Sequence, residues 1–260
     1  MKMLIFLPLL VLELFAQQPE SPIQEEVLTL TITTASKREE SLAESAAIVT
    51  VITRDDLRQW GVDSLYEAIS FIPGVELVES YFGYTTLNFR GVQQAHYNNK
   101  TLLLINGHPS FERVNGSFHL EQIPLALVER IEIVRGPGSA LYGTNAFTGV
   151  INIITLAGEK VERSLALQGG SNNRARASFA WGGGNVEQEW ALGLSYQNDD
   201  GYRYGGTADE PSSGGRKPVD FDYFNDIFNL FFEYKFKDVI INTSYFDQQK
   251  QKLGLTPEIS

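Results

Sequence analysis

The sequence predicts an α+β domain followed by an antiparallel β region. Three observations carry that expectation. Residues 48–155 mix helix-spaced and strand-like segments around one small core, apolar residues after Val161 fall into period two, and beyond the N-terminus no run of about 18 apolar residues offers a helical membrane span. The 260 residues are 43% hydrophobic and 20% charged, the balance of a folded chain of one or two domains. A net charge of -11 argues against a nucleic-acid partner, because phosphate binding rests on Lys and Arg. Cysteine is absent, which removes disulfides, thiolate metal sites and cysteine nucleophiles together.

Met1, Lys2 and Met3 precede an apolar stretch from Leu4 to Phe15, broken by Glu13 and ended by Ala16, so residues 1–16 read as a secretory signal peptide, with a buried first helix as the alternative. Residues 17–47 are polar, Thr-rich and acidic and read as an arm holding one β-prone run, Val27, Leu28, Thr29, Leu30, Thr31, Ile32 and Thr33. A compact domain is expected from Ile48. Ile48 to Ile52 is a strand, and Thr53 with Asp56 forms a capping box for a helix through Trp60 that Gly61 closes. Asp63 or Ser64 caps a second helix, in which Leu65, Ala68, Ile69 and Ile72 make one buried face before Pro73 and Gly74 stop it. Val75–Glu79, Thr86–Arg90, Thr101–Ile105, Arg130–Val134 and Gly149–Thr155 are the strand candidates, separated by Gly-rich or Asn-Gly turns.

From Val161 onward apolar and polar residues alternate. Trp190, Leu192, Leu194 and Tyr196 share one parity, and Phe224, Phe228, Leu230, Phe232, Tyr234 and Phe236 share another such stripe, interrupted by Asp226. A transmembrane β-barrel requires this pattern and a soluble antiparallel sheet also produces it, so periodicity leaves both open. Loop lengths favour the barrel: Gly182–Val186 and Lys237–Asp238 are short, whereas Asn198–Phe221 is long and reads as an outer loop. About five strands fit before Ser260, an odd number that leaves unpaired edges.

Six ordered blocks then become recognisable: Leu65–Ala68 with Ile72–Val75, Asn88–Gly91, Leu103–Gly107, Val128–Pro137, Ser139–Gly143 and Gly149–Thr155. Together they resemble the plug domain of TonB-dependent outer-membrane receptors. The resemblance implies an α+β plug domain inside a transmembrane antiparallel β-barrel of about 22 strands, only the first of which are present. It implies 1–16 as signal peptide, 17–47 as a periplasmic arm with a TonB-box-like segment, 48–160 as plug and 161–260 as the N-terminal portion of the barrel. The chain then reads as the front of a receptor, a truncation or a fragment. The function implied is active uptake of a siderophore-iron complex, cobalamin or similar nutrient at the cell outer membrane. Its partners would be TonB with its inner-membrane energising complex, the ligand and outer-membrane lipid. The alternative is a stand-alone plug-like periplasmic binding or signalling module without transport.

The resemblance also implies residue roles. Val27 to Thr33 is the segment offered to TonB, where an extended backbone can add as a strand to a partner's sheet edge. Arg90, Glu129, Arg130, Glu132 and Arg135 are read as charges between plug and inner barrel wall, against ordinary turn-flanking surface charges. Two outward plug loops, 80–85 and 108–119, offer Tyr81, Phe82, Tyr84, Phe111, Arg113 and Asn115 to a ligand, against packing on the barrel interior. Histidines 96, 108 and 119 form no metal spacing, no cofactor is expected, and neither Ser139 nor Ser195 sits in a nucleophile elbow, so an enzyme is not expected.

Overall fold

The structure, a computed structural model, describes residues 31–38, 40–45, 47–79, 85–92, 97–209, 216–223 and 225–250. Positions 27–30 of the β-prone run and the expected leader 1–16 lie outside them. Strand β1 (Thr31–Ile32) pairs antiparallel with β2 (Glu40–Ser41). Strand β3 (Val49–Thr53) runs into helix α1 (Arg54–Trp60), whose start is a reciprocal box. The Thr53 hydroxyl accepts from the Asp56 amide at 3.2 Å while the Asp56 carboxylate accepts from the Thr53 amide at 2.8 Å. Helix α2 (Leu65–Ser70) is capped by Ser64 Oγ, which accepts from the Glu67 amide at 3.1 Å, and its expected face of Leu65, Ala68, Ile69 and Ile72 is buried.

Strand β4 (Val75–Glu79) pairs with β5 (Thr85–Phe89). Strand β6 (Thr101–Ile105) turns through Asn106 and Gly107 into β7 (His108–Pro109); both turn residues have positive φ, 49° and 81°, which Asn and Gly tolerate best. Strand β8 (Val128–Arg135), short helix α3 (Ser139–Tyr142) and strand β9 (Gly149–Thr155) complete this region. Its five-stranded sheet has the order β3-β8-β9-β6-β7, antiparallel except for the β9/β6 pair. Strands β6 and β9 are buried on both sides, which is why they read as near-continuous apolar runs, whereas β8 between β3 and β9 carries charges along its length.

The second region is a meander. Strands β10 (Ser164–Gly169), β11 (Ala175–Gly184) and β12 (Gln188–Asn198) lead to a two-stranded ribbon, β13 (Tyr202–Asp209) with β14 (Arg216–Tyr223), and then to β15 (Asn225–Phe236) and β16 (Val239–Lys250). The sheet order is β10-β11-β12-β15-β16, antiparallel throughout. The ribbon corrects the sequence reading, which had Asn198–Phe221 as loop. Its Gly, Pro and charged residues obscure the alternation, yet β12 and β15 pair directly and leave the ribbon as an excursion from their shared end.

Register settles which parity of this sheet faces the mixed region. Tyr196 opposes Phe228, Leu194 opposes Leu230, Leu192 opposes Phe232 and Trp190 opposes Tyr234, so the aromatic and aliphatic stripes merge into one continuous face. That face points away from the mixed region: Leu165, Leu167 and Tyr245 are 69%, 74% and 59% exposed. The inward parity carries small and polar residues, and Ala180, Ala191 and Phe231 are buried in the same core as α1, α2, β8 and β9. Phe224 lies outside the described residues. No helix among the described residues is long and apolar enough to cross a membrane, which says nothing of strands.

Candidate functional site

Two polar constellations organise the molecule. The first surrounds Glu132, a carboxylate in the middle of β8 that is fully buried. A buried charge requires compensating donors. Its Oε2 accepts from the Thr33 amide at 3.0 Å, from the Thr34 amide at 3.0 Å and from the Thr34 hydroxyl at 2.5 Å, while Oε1 accepts from Arg130 Nε at 2.9 Å. Thr34 is in turn committed on every polar group. Its hydroxyl also accepts from Asn152 Nδ2 at 2.9 Å, and its carbonyl accepts from the Tyr142 hydroxyl at 2.9 Å. Asn152 is the register partner of Glu132 on β9 and uses its own Oδ1 to accept from the Gly107 amide at 3.0 Å. Burial first, and the charge of Glu132 second, raise the Tyr142 phenol above its ordinary 10.0, so it stays a donor across the neutral range.

The second constellation is the seam between the two regions. Asn106 donates to Glu233 Oε2 at 2.7 Å and to the Thr155 hydroxyl at 2.8 Å, while its own carbonyl accepts from the Thr155 amide at 2.9 Å. Asn229 donates to the Glu121 carbonyl at 2.6 Å and accepts from Ser195 at 2.7 Å. Asp63 meets Arg174 at 2.9 Å and Arg176 at 3.2 Å. The backbone itself docks at one point: Gly158 donates to Glu189 at 2.9 Å, and a Cβ built on Gly158 would lie 2.3 Å from the Trp190 carbonyl oxygen. Gly193 leaves room for Leu127 and Pro124 in the same way.

The residues singled out from the sequence distribute as follows. Thr31, Ile32 and Thr33 lie beside the Glu132 constellation, with Ile32 buried and Thr31 exposed; Val27, Leu28, Thr29 and Leu30 lie outside the described residues. The contacts described for Glu129, Arg130 and Arg135 stay within the mixed region, Glu129 with Arg130 and Lys160, Arg130 with Glu132, and Arg135 with the Pro73 carbonyl at 2.8 Å, while Glu132 also holds the arm. Arg90 is exposed in a left-handed turn at φ 51°. Among the described residues, polar links to the antiparallel sheet are made by Asp63, Asn106, Glu121 and Gly158. In the loop 108–119, Phe111 and Arg113 are exposed and Asn115 accepts from the Ser117 amide at 2.8 Å. His119 at its end pairs with Glu112 at 2.8 Å and stacks on Phe246 of β16, on the half of the sheet nearer the β13/β14 ribbon. Tyr81, Phe82 and Tyr84 lie outside the described residues.

Among the described residues no group of His, Asp and Glu is arranged to hold a metal. A helix-flanked mixed sheet packs against the small and polar face of an outward-apolar meander. Residues 41–150 match the family model described as TonB-dependent Receptor Plug Domain. These residues are therefore similar to the plug domains of TonB-dependent receptors. It is 35% identical over 155 residues to the vitamin B12 transporter BtuB of Vibrio vulnificus, an overlap of 57% of this chain and 24% of that protein. It is 33% identical over 175 residues to the vitamin B12 transporter BtuB of Photobacterium profundum, covering 66% of this chain and 28% of that protein. The chain thus spans about a quarter of the length of these curated relatives.

Solved structures share the fold. The ferripyoverdine receptor of the outer membrane of Pseudomonas aeruginosa superposes with a TM-score of 0.60 at 18% identity, over 84% of this chain and 27% of that one. The ferric yersiniabactin uptake receptor FyuA from Yersinia pestis does so with 0.54 at 22% identity, over 78% and 31%. The mixed region is the part of the chain that matches the plug-domain model, and the Glu132 constellation lies in its central sheet, at the point where the arm joins it.

Proposed function

We propose that this chain is the N-terminal part of an outer-membrane receptor that imports a siderophore-iron complex, cobalamin or similar nutrient, energised through TonB. The observation that carries the reading is the orientation of the meander: its apolar face points outward and its small, polar face receives the plug domain. A soluble sandwich would bury the apolar parity instead. Phe228 and Phe236 mark the two ends of the β15 stripe, eight residues apart, about 27 Å along a strand and about 20 Å once tilted by ~40°, close to the ~25 Å apolar band of outer-membrane barrels. Trp181 and Trp190 pack edge to face at 5.2 Å near one end, and Phe228 with Tyr245 at 6.0 Å near the other, as aromatic girdles do.

The edge strands support barrel closure. Among the described residues β10 and β16 each pair on one side only, and lipid satisfies no backbone donor or acceptor, so further strands are required to close the wall. On this reading residues 161–250 form the start of that wall and the 185–187 and 237–238 turns face the periplasm. Phe111, Arg113 and Asn115, with Tyr81, Phe82 and Tyr84, face the captured ligand, and residues 27–33 are the strand offered to TonB. The names of the relatives favour cobalamin as the cargo on sequence and an iron chelate on fold alone.

Deleting residues 27–33 in the receptor is expected to abolish uptake while leaving ligand binding at the cell surface; uptake unchanged by that deletion would sink the assignment. Binding assays with cyanocobalamin and with a ferric siderophore on the same cells then separate the two cargoes.

A further inference from the structure

We propose that Glu132 is the anchor of the N-terminal arm: a positioning residue that holds Thr33 and Thr34 in the plug sheet and passes a pull on the arm into strands β8 and β9. Three of the four hydrogen bonds described for its carboxylate come from those two arm residues, and the fourth from Arg130. When the arm leaves, a buried anion keeps one partner, and that partner is shared with Glu129 at 3.8 Å. The arm therefore stays docked unless the loss of these bonds is offset, and its release is abrupt rather than gradual because all three break together.

The position of the anchor also fixes where force goes. Glu132 opposes Val51 on β3 and Asn152 on β9, so it occupies the centre of the sheet rather than an edge. Asn152 holds the same Thr34 hydroxyl from the neighbouring strand, and Tyr142 holds the Thr34 carbonyl from α3. Tension on residues 27–33 reaches three elements through one threonine. The seam bonds of Gly158, Asn106 and Asn229 involve neither Thr33 nor Thr34, although Gly107, next to Asn106, donates to Asn152, so the arm can detach while the plug stays seated on the wall. The force-transmitting part of the proposal rests on the receptor reading above; the anchor itself does not.

The absence of native cysteine allows a direct test in the full chain. Ile32→Cys places a thiol at a buried site on the arm, and Ile153→Cys places one at a buried site in β9. The rate of maleimide labelling is measured at each, with and without Glu132→Gln. We expect labelling at position 32 to accelerate at least ~tenfold in the Glu132→Gln background, with position 153 unchanged. No acceleration at 32, or equal acceleration at both sites, overturns the anchor. If Glu132→Gln fails to fold, Thr34→Val, which removes the hydroxyl donor and the Asn152 acceptor but keeps the shape, is judged by the same two rates. Capture by the periplasmic domain of TonB is scored separately: loss on deleting residues 27–33 supports the receptor reading, and unchanged capture overturns that reading while the labelling rates still decide the anchor.

Discussion

Thr34 has no spare polar group, and that makes it the most sensitive position of the arm. Replacing it by Val leaves the volume and strips one donor from a buried carboxylate and one acceptor from Asn152. An unmade bond to a buried charged group costs about 1–3 kcal/mol, so Thr34→Val is expected to lower plug stability by that amount in denaturant titration, whereas Ser36→Ala, whose hydroxyl is exposed and bonds only locally to Arg38, is expected to change little. The tyrosines set an alkaline limit. Burial raises Tyr142 above 10.0 and raises Tyr66 well above it, so the folded state binds more protons than the unfolded chain once the pH passes the unfolded value. Stability from these groups is complete below about pH 10 and is lost as the pH climbs from there through the raised values. Melting temperature measured from pH 8 to 11 is expected to fall on the alkaline side, with a smaller fall in Tyr142→Phe. None of the Glu132 cluster was legible in the sequence as an arm contact. Val128 to Arg135 reads as a strand with alternating charges, and its partners at 33 and 34 are almost a hundred positions away, a separation that no local pattern reports.

At the scale of elements, the glycines of the seam are spacing devices. A methyl group on Gly158 would meet the Trp190 backbone at 2.3 Å and the Gly183 carbonyl oxygen at 2.8 Å, contacts that no rotamer change relieves. Overpacking of this kind costs about 1–3 kcal/mol or more, so Gly158→Ala is expected to loosen the junction between plug and sheet, read as faster protease cleavage between residues 155 and 165. Most elements were legible because their causes are local: the Thr53 box, the Ser64 cap, the Asn106-Gly107 turn and the period-two strands all sit within a few residues of one another. The β13/β14 ribbon was not, since its pairing joins a Gly-rich strand to a Pro-containing one across an intervening segment. The inward parity of β15 carried a signal that periodicity alone underused. Asn229, Phe231 and Glu233 alternate with the aromatic stripe, and two of the three reach the plug by hydrogen bonds.

For the whole molecule, the separation of faces is what distinguishes a membrane wall from a soluble sheet. The charge and the missing cysteine excluded partners and chemistries without pointing to a fold; the ordered motif blocks in residues 65–155 carried the resemblance to a plug domain, and the register of the meander carried its orientation. What lay beyond the sequence was which parity of the meander the mixed region covers, because a period-two stripe is equally consistent with an inner and an outer apolar face. An arginine at the centre of the outward face, Phe232→Arg, is expected to cost about 2–4 kcal/mol if that face meets lipid, seen as a loss of heat-modifiable protein from outer membranes. The most direct measurement uses single cysteines along β15, at 229, 230, 231 and 232, each carrying a fluorophore and reconstituted as full receptor in vesicles containing brominated lipid. Strong quenching at 230 and 232 with weak quenching at 229 and 231 is the result expected of a wall strand facing lipid on one side and plug on the other. Uniform quenching along the strand, or none at any of the four positions, would contradict it.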